Sequence, residues 1–410
     1  MKEGKPVDEC FPWRFRRTIM SITEGHHPGY RGTGTKLTLG KFGDFGGRFV
    51  PESMILYLEE LALGFESAIQ DPSFWREYIR ETQPTTQLHK AHQLTAIAQG
   101  ATIWLKREDQ NRYGSHRTRS IVGHLLLARR MGRSDIVTDC AAAKHGKFTA
   151  EMCVRFGMRC TVIMGEDDHN AQLDDVKKMK LLGATVIKVR NPAGLGTWRA
   201  ATTEALQYAV SHYDASYCLM GSASGPHPLP AITGTFQSLL GEEVKTQMND
   251  LTGGPPDAVV TCIGSGSAAV GLFRPFLSKS EIRLVGVEAD QAAVLTRGET
   301  GVLQGTKTYC LQDKHGQILD SRSISPDMNI SCVGPELAHW RSSHRVEVSM
   351  VTDAEAKVGL SDLSRHEKIL SGADTGYAVK KVVALATDMG PGRNIVLLVT
   401  GPDNITPASL

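Results

Sequence analysis

Residues 114–150 read GSHRTRSIVGHLLLARRMGRSDIVTDCAAAKHGKFTA. The segment just before them, TIWLKRED at 102–109, reads as a strand ending in charge. Helical spacing follows from Ile121 through Leu127, then a short strand at Ile136–Thr138. A run of small residues, Ala141–Ala143, then leads to a second helix expected from about Lys147. A small-residue turn between strand and helix exposes backbone N–H groups where an anion can sit. The helix N-terminus adds partial positive charge there. The stretch is therefore expected to wall a pocket with His116, Arg117, Arg119, Asp139, Cys140, Lys144 and His145.

Outward from it, strands and helices alternate. CTVIMG (160–165), ATVIKV (184–189), DAVVTC (257–262), IRLVGVEA (282–289) and NIVLLV (394–399) read as buried strands. NAQLDDVKKMKLLG (170–183) and TWRAATTEALQYAVSHY (197–213) read as helices, as do VPESMILYLEELALGFESAI (50–69) and PSFWREYIRET (72–82). Apolar strands each followed by a helix imply parallel sheets covered on both faces. The expected class is α/β, and the number of strands suggests two such sheets or one very large one. Residues 1–40 are polar and punctuated by Gly and Pro, and are expected to form a partly disordered extension.

Composition narrows the function. The chain has 410 residues, 41% of them apolar and 22% charged, as in ordinary soluble proteins. A net charge of +2 argues against nucleic acid or an anionic membrane surface as partner. No apolar run approaches a membrane span, and the N-terminus lacks the apolar core of a secretory signal. The eight cysteines form no CxxC pair, and Cys153 and Cys262 sit in apolar runs. Reduced core cysteines and a cytoplasmic location are expected. His26-His27 and His366-Glu367 lack metal-ligand spacing, so no metal is expected.

Three features carry candidate chemistry. GSGSAAVG (264–271) lies between strand and helix, and Gly264, Ser265, Gly266 and Ser267 there either close on a phosphate or simply pack a tight turn. Its third glycine is not spaced as in the dinucleotide fingerprint. His116, Lys144 and His145 are acid/base candidates, each with a structural alternative. Lys106–Asp109, KRED, reads as an ion-paired strand end.

From Lys41 to Thr400 the chain resembles the tryptophan synthase β-chain family of fold-type II pyridoxal-phosphate (PLP) enzymes. The resemblance rests on FGDFGGRFVPE (42–52), LKREDQNRYGSH (105–116), KHGKFTAEMCVRFGMRCTVIMG (144–165), MGSASGPHPLP (220–230), PDAVVTCIGSGSAAVGLF (256–273) and SCVGPELAHW (331–340). It implies two three-layer α/β subdomains with the active site in the cleft between them, and a dimer of such chains. By it, one subdomain comprises 41–82 and 116–234, with a mobile substrate-loop region at about 132–219. The other comprises 83–115 and 235–410.

The resemblance breaks at the chemistry. The family's Schiff-base lysine directly follows the His of GSH, where this chain has Arg117, and the family's next Asn is Arg119. The family's Glu-Thr-Gly-Ala-Gly-Gln-His-Gly, whose Glu is its acid/base for indole addition, becomes Asp139 through Gly146. Its Gly-Gly-Gly-Ser-Asn becomes 264–268, Gly-Ser-Gly-Ser-Ala, and its Ser-Gly-Arg-Gly becomes Thr400-Gly401-Pro402-Asp403. The acidic residue after the family's HEG segment is Asp374.

A guanidinium is a poor carbonyl nucleophile and stays protonated. The expectation from the sequence is therefore a PLP-independent enzyme with no cofactor. It would be a lyase, cyclase or isomerase acting on a small aromatic or anionic metabolite, in specialised metabolism. Lys144, His145, His116 and Asp139 would move protons. Arg117, Arg119, Cys140 and Asp374 would bind substrate. A homodimer needing no α-type subunit is expected. Two alternatives stand beside it: a PLP-dependent β-elimination or β-replacement enzyme with Lys144 as a displaced Schiff-base lysine, and a non-catalytic ligand-binding or regulatory homologue.

Overall fold

A computed structural model describes residues 40–82, 85–111, 114–190 and 196–401. The extension expected over 1–40 lies outside them except for Gly40, as do Pro402 and Asp403.

The fold is α/β, built on two sheets that carry parallel strands. The smaller has four strands in the order Thr185–Val189, Arg159–Gly165, Asp135–Cys140 and Ser216–Leu219, all parallel. Val137 sits between Thr161 on one side and Cys218 on the other. The larger sheet runs Glu347–Val351, Arg283–Ala289, Ala258–Cys262, Asn394–Val399, Thr102–Arg107 and Leu88–Lys90. Its first five strands are parallel, and Leu88–Lys90 is an antiparallel edge.

Side-chain alternation explains why both faces of the larger sheet are covered. Val259, Leu284, Val396 and Leu398 pack to one side with the helices Leu239–Thr252 and Pro335–Ser342. Val260, Val285, Ile395 and Leu397 pack to the other against Ala373–Met389. A third core lies around the smaller sheet and the helices Ile55–Gln70, Pro72–Thr82 and Arg117–Arg130. Each buried Leu, Ile or Val there contributes roughly 1.5–3 kcal/mol.

Two features differ from the sequence reading. A third, antiparallel sheet joins Lys41–Phe42, Phe45–Gly46, Thr306–Cys310 and Glu299–Leu303. Its first two strands have two residues each and leave no periodicity to read. The second helix begins at Ala143, four residues earlier than expected, and runs to Phe156. Its early amides are satisfied by groups outside a simple pattern. Ala143 N–H donates to Gln172 Oε1 at 2.7 Å, and Gly146 N–H to Cys140 Sγ at 3.3 Å. Lys144 and His145 are thereby helical and buried.

No helix among the described residues is long and apolar enough to cross a membrane. The seven described cysteines are free and buried. The described residues contain no cluster of metal-ligating side chains.

Candidate active site

The cleft holds two adjoining cavities. The first encloses about 340 Å³, part of it open to solvent. It is lined by the turn that follows strand Ala258–Cys262, through Gly264, Ser265, Gly266 and Ser267. Gly266 has φ +91°, a conformation that a side chain disfavours. A Cβ on Gly264 would meet the Asp327 carbonyl at 2.2 Å, so this glycine lets the segment around Asp327 close on the turn. Asp374 and Thr400 line the same cavity. Thr400 Oγ1 donates to Asp374 Oδ1, and Cys262 Sγ to Asp374 Oδ2 at 3.5 Å. His116 forms part of the wall, and its Nδ1 is buried with no hydrogen-bond partner.

The second cavity is lined by Asp139, His145, Trp198 and Ser222, among others. The Asp139 carboxylate accepts from Trp198 Nε1 at 2.6 Å and from Thr202 Oγ1 at 2.8 Å. Burial nevertheless raises its proton affinity above the ordinary aspartate value. His145 Nε2 lies 2.9 Å from Thr138 Oγ1, whose single hydrogen goes to the Leu219 carbonyl at 2.7 Å. The imidazole Nε2 must then carry the hydrogen and donate, leaving Nδ1 as an acceptor with no partner. Burial, and secondarily the Arg117 cation, push the pKa of both His116 and His145 down to about 3. Both rings are neutral near pH 7.

Arg117 and Asp327 line both cavities and stand between them. Arg117 Nη2 and Nη1 donate to Asp327 Oδ1 and Oδ2 at 2.7 and 3.1 Å, a bidentate fork. Burial alone would raise the Asp327 pKa, but Arg117 and Lys144 outweigh it and hold the carboxyl below its usual value. Lys144 Nζ is 4.0 Å from Asp327 Oδ2 and donates to the Gly401 carbonyl at 2.7 Å.

The structure thus brings His116, Arg117, Asp139, His145, Asp374 and the 264–267 turn onto the cavities, with Lys144 beside them. It places two expected residues elsewhere. Arg119 is 1% exposed and donates to Glu243 at 2.7 and 2.9 Å and to Glu108 at 2.9 Å, outside both cavities. With Lys106, which donates to Glu243 at 2.7 Å, it forms a buried charge cluster that a substrate anion could reach only by displacing carboxylates. Cys140 turns its thiol to the Ala142 carbonyl and the Gly146 amide, and burial raises its pKa far above the ordinary value. Asp327 and Trp198 had no sequence signal: the first sits in a short turn, the second begins an unexceptional helix.

A cavity lined by a glycine–serine turn and a hydroxyl–carboxylate pair, with a buried lysine beside it, suits an enzyme that holds a phosphorylated pyridine. Residues 79–401 match the model of the pyridoxal-phosphate dependent enzyme family, and the chain belongs to that family. Within it the chain is similar to the tryptophan synthase of Saccharomyces cerevisiae, 42% identical over 374 residues, covering 88% of this chain and 52% of that protein. It is also 39% identical over 375 residues to the tryptophan synthase beta chain of Bacillus subtilis, covering 88% of this chain and 93% of that one. The beta chain of Bacillus pumilus gives the same identity over the same length. The chain spans about half the length of the yeast relative.

These findings correct the expectation of a PLP-independent, cyclase-type enzyme without a cofactor. That reading rested on the loss of one amine at position 117. The matched family is that of pyridoxal-phosphate dependent enzymes, and the relatives are tryptophan synthases.

Proposed function

We infer that the chain is a PLP-dependent enzyme that eliminates or replaces a group on the β-carbon of an amino acid. The backbone of 264–267 would receive the phosphate, Asp374 and Thr400 the ring nitrogen, and Lys144 the aldehyde. When bound, PLP supplies an electron sink that acidifies the α-hydrogen of an amino acid joined to it. The chain's own residues have separable tasks. His145 Nδ1 offers a neutral lone pair at the second cavity. Asp139, with its raised pKa and fixed by Trp198 and Thr202, can hold a proton for the departing or entering group. Trp198 and Ile330 exclude water from one side of that cavity.

The observation that carries the assignment is the position of Lys144. Among the described residues only Lys106 and Lys144 are buried lysines. Lys106 donates to Glu243 and to the Thr86 carbonyl, in the charge cluster away from the cavities. Lys144 lies 4.0 Å from a carboxylate that lines both cavities. Incubation with PLP, borohydride reduction and peptide mapping should place a pyridoxyl group on Lys144. Lys144→Ala should lack that label and lose the release of a keto acid from a β-substituted amino acid. A label on another lysine, or on none, sinks the assignment.

Assembly is proposed as a dimer of this chain that needs no second kind of subunit. The similarity to beta chains supports the dimer. Light scattering on the purified chain should give about twice 44.6 kDa, and a monomer mass at micromolar concentration would contradict it. The subdomain limits drawn from the resemblance are likewise proposed, and the return of the chain to the larger sheet at Ala258 supports them.

A further inference from the structure

We propose that Cys310 and Cys332 are a redox modification site: a low-molecular-weight disulfide oxidises the two thiols to a cross-strand disulfide, which closes segment 311–331 into a ring beside the cleft. The inference goes beyond the proposed activity and stands whether or not Lys144 carries PLP.

Strand register carries it. Cys310 ends the strand Thr306–Cys310 and stands opposite Cys332 in an isolated antiparallel bridge. The hydrogen bonds join their neighbours: Leu311 N–H donates to the Ser331 carbonyl at 2.9 Å, and Val333 N–H to the Tyr309 carbonyl at 3.4 Å. The two cysteines are therefore a non-hydrogen-bonded pair, in which Cα atoms lie roughly 4.5 Å apart and the side chains share a face. A disulfide needs Cα atoms about 4.4–6.8 Å apart, so the backbone already meets its requirement. The thiols also lie within electrostatic reach, since Cys310 adds to burial in raising the pKa of Cys332. Other cysteines on ladders lack such a partner: Cys140, Cys160, Cys218 and Cys262 face Met164, Ile136, Val137 and Val287.

The place of the pair gives the bond its effect. Segment 311–331 leaves the antiparallel sheet at Cys310 and returns beside it at Cys332. Between them it carries Asp327, which lines both cavities, and Ile330, which lines the second. A bond at the root of the segment restricts how far those residues move from the cleft. Both thiols are buried, and burial pushes Cys310 up to about 11 and Cys332 up to about 12. The protonated thiol is a poor nucleophile, so exchange proceeds through local opening of the segment. One cysteine thiolate then attacks a sulfur of the small disulfide, breaks its S–S bond and releases one thiolate. The second cysteine thiolate attacks the protein sulfur of that mixed disulfide and releases the other. Two electrons pass from the dithiol to the oxidant, and the two cysteine protons end on the released thiols.

The test incubates the full chain with oxidised glutathione, once in buffer and once in urea below the unfolding midpoint, where the segment opens more often. Free thiols are then alkylated and the tryptic peptides weighed. Peptide 308–314 should be joined to peptide 323–341, and dithiothreitol should part them. Cys310→Ser and Cys332→Ser should each lose the joined pair. Cys153→Ser, which removes a thiol next to Cys160, should keep it. Hydrogen exchange over 311–331 should slow about tenfold or more in the oxidised chain. Absence of the joined peptides in both incubations, or a bond from Cys310 or Cys332 to another cysteine instead, overturns the site. Unchanged exchange in the bonded chain overturns the restriction of the segment. If the serine variants do not fold, the wild-type peptide map decides alone. Failure to label Lys144 with PLP would leave these results untouched, so the two readings fail separately.

Discussion

Arg117 opens the helix Arg117–Arg130, where the aligned peptide dipoles disfavour a cation, and its side chain is only 11% exposed. Both costs are offset by Asp327, 210 residues further along the chain. Residue-level reading therefore found half of a pair. Lys144, His145 and Asp139 were legible because they interrupt a run of small residues between strand and helix. Asp327 was not, since nothing local marks its turn. The buried histidines make a further point testable. His124 lies between Tyr217 Oη at 2.7 Å and Thr233 Oγ1 at 3.0 Å, and desolvation lowers its pKa from 6.5 to about 3. The unfolded chain then takes up the proton first as pH falls. The stability tied to the neutral ring is complete above about pH 6.5, and it declines until about pH 3. In urea titrations at successive pH values, His124→Gln should flatten the wild-type slope in that window by about 1.4 kcal/mol per pH unit. An unaltered slope would show that the ring protonates freely in the folded protein.

Among elements, the helix Ala143–Phe156 departs most usefully from its expected bounds. Periodicity places its body correctly, and Gly157 with φ +67° closes it. Its start depends on Gln172, whose Oε1 accepts from Ala143 N–H while its Nε2 donates to the Ala141 carbonyl at 2.9 Å. That bridge comes from a different segment, so no pattern within 141–150 reveals it. With the helix starting at Ala143, Lys144 and His145 lie in its first turn instead of in a loop, and His145 lines the second cavity. Gln172→Ala should cost about 1 kcal/mol in chemical denaturation and speed hydrogen exchange at the Ala143 amide selectively. Exchange that is slow in both proteins would mean that the helix start holds itself.

For the molecule as a whole, the alternation of apolar strands and helices sufficed for the class but left two parallel sheets or one very large one open, and only the family resemblance pointed to two. It did not reveal the order of strands in the larger sheet, because buried strands look alike whether central or at an edge. Nor did it reveal the antiparallel sheet that ties Phe45–Gly46 to Thr306–Cys310. The charge cluster of Lys106, Glu108, Arg119 and Glu243 fastens the helix Arg117–Arg130 to the strand Thr102–Arg107 and the helix Leu239–Thr252, so it joins regions that the sequence read as separate units. The position of Asn394–Val399 has a consequence for the chain as it leaves the ribosome. This strand lies between Ala258–Cys262 and Thr102–Arg107, yet it comes after both in the sequence and is the latest of the described strands. Until it emerges, two apolar strands synthesised long before it face a vacant slot with their backbone groups unpaired. The smaller sheet, made entirely from 135–219, has all its strands at that stage. Vectorial synthesis thus leaves the smaller sheet assembled and the larger one open-edged, which makes the interval before Asn394–Val399 emerges the one when a nascent chain of this fold most needs a chaperone.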